Sequence, residues 1–210
     1  MSNVDYKKSK RSIFLYYIYA LLTSCVFSRG IFMLFLAYKG LDVAQIGIYQ
    51  MLVQISMSVF EIPTGYIGDR IGKIKSLQIG VIILAVYCWM MIVLNHPIAL
   101  ISLGVVEGVG YTFLSGSDSA LLYELLKNTR REQDYLKLNA RLQSLQSILI
   151  GVTIAIGAVI ISWSWNAVYG ITAICLIGAL IALIPVSEPT IQCENKDNDS
   201  IDRKSKIKSI

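Results

Sequence analysis

Seven polar or ionisable side chains interrupt stretches that are otherwise apolar: Arg29, Gln50, Gln54, Glu61, Glu107, Tyr111 and Asp118. A charge inside such a stretch is costly unless it faces a partner, water or a solute, so each position is a candidate for binding a solute or carrying a proton. Gln50, Gln54 and Glu61 are four and seven residues apart, which puts them on one face of a helix. Glu107 and Asp118 are eleven residues apart with Tyr111 between them, and three helical turns return to nearly the same direction. Other chemistries find less support. Ser115, Ser117 and Ser119 flank Gly116, but a serine nucleophile needs a base, and the single histidine, His96, falls in a distant turn, Asn95-His96-Pro97. No enzyme activity is expected. Cys25, Cys88, Cys175 and Cys193 are far apart, and three of them sit in apolar runs, so they read as small apolar fillers. No metal site and no cofactor are expected.

The elements that hold these residues follow from composition. With 55% hydrophobic and 16% charged residues and a mean hydropathy of +0.59, the chain has more apolar surface than a soluble domain of this size buries. Its expected solvent is the lipid bilayer. About 20 helical residues cross a hydrocarbon core of about 30 Å, and six windows of that kind occur: 13–38, 44–67, 76–94, 98–122, 142–163 and 167–186. The basic start (Lys7, Lys8, Lys10, Arg11) resembles a signal peptide, but the apolar run after it is too long and no small-residue cleavage site follows. The first span is expected to be retained. The fold class is thus an all-α integral membrane protein, a bundle of six transmembrane helices. A segment 1–12 precedes the membrane domain 13–186, and a tail 187–210 without apolar periodicity is expected to be disordered.

The net charge of +5 does not imply nucleic acid, because the basic residues form short clusters between apolar runs and no broad basic face. They report topology instead. All of the 19 Lys and Arg residues except Arg29 and Lys39 fall in the N-terminal segment, the loops after spans 2 and 4, or the tail. Because cytoplasmic segments carry the Lys/Arg excess, both termini are expected to be cytoplasmic, in a multi-pass protein of the cell membrane.

Spans 1 and 2, and again spans 4 and 5, carry polar or charged residues, whereas spans 3 and 6 carry no charged residue. The second pair includes Asn139, Gln143, Gln146 and Thr153 along one stripe of span 5. This order suggests two inverted three-helix repeats in which two helices of each line a pathway and the third faces lipid. At about 1.5 Å per residue, Arg29 lies about 24 Å along span 1 and Glu107 about 22 Å above the same side in the antiparallel span 4. The two are expected to be level and to form an ion pair, with either a packing role or a substrate- or proton-responsive one.

After span 2 the chain reads Glu61-Ile62-Pro63-Thr64-Gly65-Tyr66-Ile67-Gly68-Asp69-Arg70-Ile71-Gly72-Lys73-Ile74-Lys75. Taken alone it is a compact charged turn, whose glycines at 65, 68 and 72 permit a tight reversal. It also resembles the signature loop of the major facilitator superfamily, in which a glycine is followed four residues later by Asp-Arg, then any residue, then Gly and basic residues. Gly65, Asp69, Arg70, Gly72 and Lys73 match that pattern between the expected spans, on the basic side. The resemblance implies the N-terminal six-helix half of a secondary transporter or exporter that moves a small solute by alternating access. It also implies that Asp69 and Arg70 steady one access state through a charge network, in part against the other half. The segment Ser115 to Glu124 resembles the end of span 4 in bacterial members of that family, which would let Asp118 and Glu124 pair with Arg70 or Lys73. The alternative for Glu124 is a simple cap on a solvated helix end.

The chain departs from the family in two places. The family often has an arginine tied to proton coupling in span 4, where this chain has Glu107, and span 5 has Gly151 and Gly157 without the Gly-Pro pair of the antiporters. Members usually have twelve spans in two halves. Three expectations follow for a six-span chain. It is one half of a transporter whose other half is encoded elsewhere, a six-helix protein that pairs with a second copy of itself, or a truncated product that does not transport. Polar residues of both signs leave the solute's identity open, with proton coupling as an option.

Overall fold

The computed structural model describes residues 3–127 and 132–186. Arg130, Arg131 and the expected disordered tail 187–210 lie outside the described residues. The helices are α1 (Asn3–Ser24), α2 (Phe32–Tyr38), α3 (Val43–Ile71), α4 (Lys73–Val93), α5 (Pro97–Lys127), α6 (Tyr135–Ile160) and α7 (Trp165–Leu183), with a 3-10 turn at Glu132–Asp134. No strand occurs among the described residues. Five of the helices, α3 to α7, are long and apolar enough to cross a membrane.

The first expected span differs from the rest. A continuous helix over 13–38 is replaced by two, α1 and α2, with the non-helical residues 25–31 between them. Side chains close the end of α1: the Ser24 hydroxyl donates to the Ala20 carbonyl (2.8 Å), and Thr23 donates to Tyr19 and Ala20 (3.1 Å each). Such hydroxyl bonds satisfy the terminal carbonyls that would otherwise continue the ladder. Packing against α6 then fixes the break. A Cβ at Gly30 would come within 2.5 Å of Ile154, and one at Gly157 would strike the Phe27 carbonyl.

Boundaries elsewhere have local causes. Asp42 accepts from the Gln45 amide (2.8 Å) while the Gln45 side chain accepts from the Asp42 amide (3.0 Å), a reciprocal cap that starts α3. Pro97 begins α5, where its missing N–H costs nothing. The reversal between α3 and α4 rests on Gly72 at φ +100°. The three glycines expected to make this turn therefore have different jobs. Gly65 and Gly68 are helical, and Gly68 is buried, its missing Cβ leaving room for the hydroxyls of Ser76 and Ser117.

Helix α5 is the hub. Gly104 and Gly108 lie four residues apart and admit the α3 backbone, because a Cβ at either would stand 2.7 Å from the carbonyl of Tyr49 or Val53. Gly110 admits Leu84 of α4. In lipid, close approach of small residues supplies the packing energy that water supplies to a soluble core. The most extensive of the other contacts join α4 to α7, α1 to α7 and α1 to α6. Within this single bundle the spans without charge are the more buried ones. Helices α4 and α7 bury the largest share of their spans, 44% each, and α3 and α6 the smallest, 17% each. The reason is that α4 and α7 pack on each other and carry their tyrosines inward.

Candidate functional site

Two carboxylates of α5 reach tyrosine hydroxyls on other helices. Glu107 accepts a hydrogen bond from Tyr49 of α3, and the Tyr49 hydroxyl is 2.8 Å from that of Tyr87 on α4. A phenol has one proton. When Tyr49 gives its proton to Glu107, Tyr87 must be the donor to Tyr49, so the chain runs Tyr87 to Tyr49 to Glu107. Tyr169 of α7 stands beside Tyr87, ring edge to ring face at 6.4 Å, fully buried, with a hydroxyl that acts on Tyr87 but makes no well-formed hydrogen bond among the described residues. The Phe35 ring of α2 packs on Tyr169 at 4.5 Å, which fastens the short helix after the break to this cluster.

Arg29 sits in the unwound segment and is exposed. It interacts through space with Glu107 and Tyr111, yet among the described residues it forms no ion pair. The expected Arg29–Glu107 pair is therefore corrected: the two act on each other only through space, and Glu107 is held by Tyr49. A rise of about 1.5 Å per residue would level the two only in a helix that continued through position 29, and the helix stops at Ser24. Gln50 and Tyr111 are half-buried and Gln54 is exposed, so the α3 stripe runs from the edge of this cluster to the surface. On α6, Gln146 donates to the Ala20 carbonyl (3.0 Å) and Thr153 is buried, so part of that polar stripe serves packing against α1.

The second carboxylate, Asp118, accepts from the Tyr16 hydroxyl (2.7 Å), which also lies 3.0 Å from the Asp118 carbonyl oxygen. The expected pairing of Asp118 with Arg70 or Lys73 is thus replaced by a clamp between α1 and α5. Lys73 pairs with Asp69 across the turn, and Arg70 stacks over the Tyr66 ring at 4.7 Å. Asp69 and Arg70 belong to the last turn of α3 and are exposed, as is Glu61 further back. Glu124 is half-buried near the end of α5.

At the opposite end, Lys39 closes α4. Its ammonium donates to the carbonyls of Ile92 (3.0 Å) and Leu94 (3.1 Å) and to Asn95 Oδ1 (2.7 Å). A cation at a helix C-terminus meets the orphan carbonyls and the negative end of the dipole. Partial burial of Lys39 lowers its pKa from the ordinary lysine value.

Sequence reasoning missed Tyr16, Tyr49, Tyr87, Tyr169 and Lys39. The available signal for the four tyrosines was tyrosine itself, a polar tip on an apolar body, which for Tyr87 and Tyr169 occurs inside spans that carry no charge.

A family model described as Major Facilitator Superfamily matches residues 15–209. No curated protein matches the chain.

Proposed function

From the chain's membership of the Major Facilitator Superfamily, a family of multi-pass membrane transporters, we propose that it moves a small solute by alternating access as the N-terminal six-helix half of a secondary transporter or exporter. The family match is the observation that carries this reading. In it, α1 and α2 in tandem make the first crossing and α3 to α7 the other five. Both termini lie in the cytoplasm of a cell-membrane protein, on the side with the Lys/Arg excess. The chain is a transporter and not an enzyme.

The contacts among helices support an inverted-repeat arrangement. Exchanging the first three crossings for the last three turns the α3–α5 contact into α6–α1, the α4–α5 contact into α7–α1, and leaves α4–α7 unchanged. The wide exposed faces of α3 and α6 suit docking of a second six-helix half, or of a second copy, across a pathway reached by Arg29, Gln50, Gln54, Glu107 and Tyr111. Asp69, Arg70, Gly72 and Lys73, with Glu61, Gly65, Asp118 and Glu124 around them, make up the cytoplasmic gate.

Proton coupling has a physical basis in the Glu107 cluster. With Glu107 ionised, hydrogen bonds run from Tyr87 through Tyr49 to the carboxylate. A proton on Glu107 lets it donate to Tyr49, which then donates to Tyr87, and Tyr87 needs a new acceptor. The idle hydroxyl of Tyr169 is beside it. Protonation would thus reverse hydrogen bonds that link four helices without moving a charge into lipid.

The test uses the full chain with Cys25, Cys88, Cys175 and Cys193 replaced by Ser and one new cysteine at Gln54, in membrane vesicles of both orientations. A membrane-impermeant maleimide is expected to label position 54 from both sides. Labelling from neither side, as for a lipid-facing residue, would sink the pathway assignment. Native mass spectrometry in detergent separates a lone chain from a self-paired one.

A further inference from the structure

Two of the cysteines that composition leaves as apolar fillers meet across a helix contact. Helices α1 and α7 pack together, and Leu22 touches Gly178, where a Cβ on the glycine would stand 3.4 Å from the leucine methyl. As parts of the first and last crossings the two helices run in opposite directions, so three residues forward from Leu22 lie level with three residues back from Gly178. Those positions are Cys25 and Cys175. Both share the face of that contact. The Cys25 amide bonds the Leu22 carbonyl at 3.1 Å, a turn in which side chains three residues apart stand one above the other. On α7, positions 175 and 178 are about one helical turn apart. The thiols act on each other as hydrogen-bond partners, as that register requires, and the Cys25 thiol also donates to the Leu21 carbonyl at 3.4 Å.

A glycine at the contact lets the backbones approach closely, which suits a disulfide, whose Cα atoms must come within about 7 Å. Access is also present. Both thiols are half-buried, and Cys175 adjoins Ile174, which is exposed on the outer row of α7. Cys175 falls near the middle of a helix long enough to cross a membrane, so reagents reach the pair through hydrocarbon. Cys88, by contrast, is buried on α4.

We infer that Cys25 and Cys175 form a redox-sensitive pair, closed to a disulfide by exchange with a small lipid-soluble disulfide. One cysteine gives up its proton and attacks the small disulfide, expelling half of it as a thiol. The second cysteine then displaces the other half, so two cysteine thiols become one S–S bond and the reagent becomes two thiols. Cys25 is the first residue after α1, so closure fastens the edge of the break in the first crossing to α7. Nothing in this depends on transport.

The experiment treats the full chain in membrane vesicles with dipyridyl disulfide, blocks remaining thiols with N-ethylmaleimide, and maps peptides by mass spectrometry without reduction. A link between the peptides of residues 25 and 175 is expected, reversible by a lipid-soluble phosphine and accompanied by a higher unfolding midpoint in detergent. Cys175→Ala should lose both the link and the rise. Moving the first thiol by one residue, with Cys25→Ser and Val26→Cys together, should slow closure roughly tenfold or more, because exchange depends on access and alignment. Should that double variant not fold, the wild-type chain decides by the ratio of link to pyridyl adducts, and the link should dominate. Adducts at both positions without a link, a link to Cys88 instead, equal closure rates for the moved thiol, or closure as fast with the water-soluble glutathione disulfide would each overturn the proposal. So would a pair that takes up silver(I) but resists oxidation, which would make it a soft-metal site.

Discussion

Glu107 and Asp118 are carboxylates on one helix, three turns apart, each held by a tyrosine from elsewhere, and they are built for different work. At Asp118 a single hydroxyl, that of Tyr16, meets both the side chain and the main-chain carbonyl of the same residue. That arrangement is closed: the donor has one role, it ties α1 to α5, and a change of protonation weakens the bond without offering the donor another partner. At Glu107 the carboxylate ends a chain of two phenols, a third phenol stands by unbonded, and a cation lies near without contact. That arrangement is open, with a second set of partners already in place. The difference teaches that burial of an acid says little about its role until the spare donors and acceptors around it are known.

The comparison depends on how closely α3 approaches α5, which sets the largest expected effect. Gly108 faces the Val53 carbonyl and Ser56 Cβ, each 2.7 Å from where a Cβ would stand. Gly108→Leu is expected to cost about 3 kcal/mol or more, because backbone leaves no room for the side chain to relocate. The check is detergent-solubilised yield together with the unfolding midpoint. A Gly65→Ala control, at a position with open space around it, should change neither. Equal yields for the two variants would mean that the glycine approach does not hold the Glu107 cluster together.

Tyr16→Phe comes next. It removes the donor from a buried carboxylate and from the carbonyl behind it, with an expected loss of about 1–3 kcal/mol. If Asp118 is a fastening, the loss appears in the unfolding midpoint at every pH where Asp118 is ionised, and the pH response of the Glu107 cluster is unchanged. A variant of normal stability with an altered pH response would put Asp118 in the same class as Glu107 and erase the contrast.

How much of this could be read from the sequence follows from what periodicity encodes. Spacing identifies the residues that share a face of one helix, and so Gln50 with Gln54, and Glu107 with Asp118, were legible. It cannot say which helix lies opposite. The tyrosines clustered around Glu107 come from α3, α4 and α7, and two of those helices have no charge within the bilayer to betray an inward face. The broken first span was illegible for another reason. Residues 25–31 keep the hydropathy of a span, and the interruption is decided by Gly157 and Ile154, more than a hundred residues later. Charges at the basic end were legible as a set but not as pairs. Asp69 takes Lys73 across a turn whose tightness depends on one glycine at positive φ.

Tyr49→Phe tests the open side of the contrast, with a smaller effect on stability. Glu107 and Tyr87 lose their shared partner, a cost of about 1 kcal/mol by the usual worth of such bonds in membranes. Arg29 is the cation that acts on Glu107 through space. The ion pair absent from the wild type is expected to form, and its signature is protection of Arg29 from an arginine-specific dicarbonyl, because the guanidinium is then occupied. Loss of stability without that protection would show that Glu107 does not recruit Arg29.

Tyr169→Phe should change stability least and discriminate most. Its hydroxyl is buried without a hydrogen bond, so removing it deletes an unsatisfied polar atom and keeps the ring packing with Phe35 and Tyr87; a change near zero, or a slight gain, is expected. A resident of a static core would show nothing further. As the acceptor that Tyr87 needs when Glu107 carries a proton, however, Tyr169 matters in only one protonation state. Its loss then penalises the protonated form, which leaves Tyr87 with a proton to donate and nothing to receive it. The Tyr169→Phe variant should therefore give up stability relative to wild type as pH falls through the titration of Glu107, and match it above. Unfolding midpoints across pH for wild type, Tyr169→Phe and the double variant with Glu107→Gln separate the outcomes. If the difference between Tyr169→Phe and wild type is the same at every pH, the tyrosine chain does not reverse and the Glu107 cluster is as closed as that of Asp118. If the difference appears on acidification and Glu107→Gln makes it constant, the chain responds to the proton on Glu107, and the two carboxylates of α5 do different work.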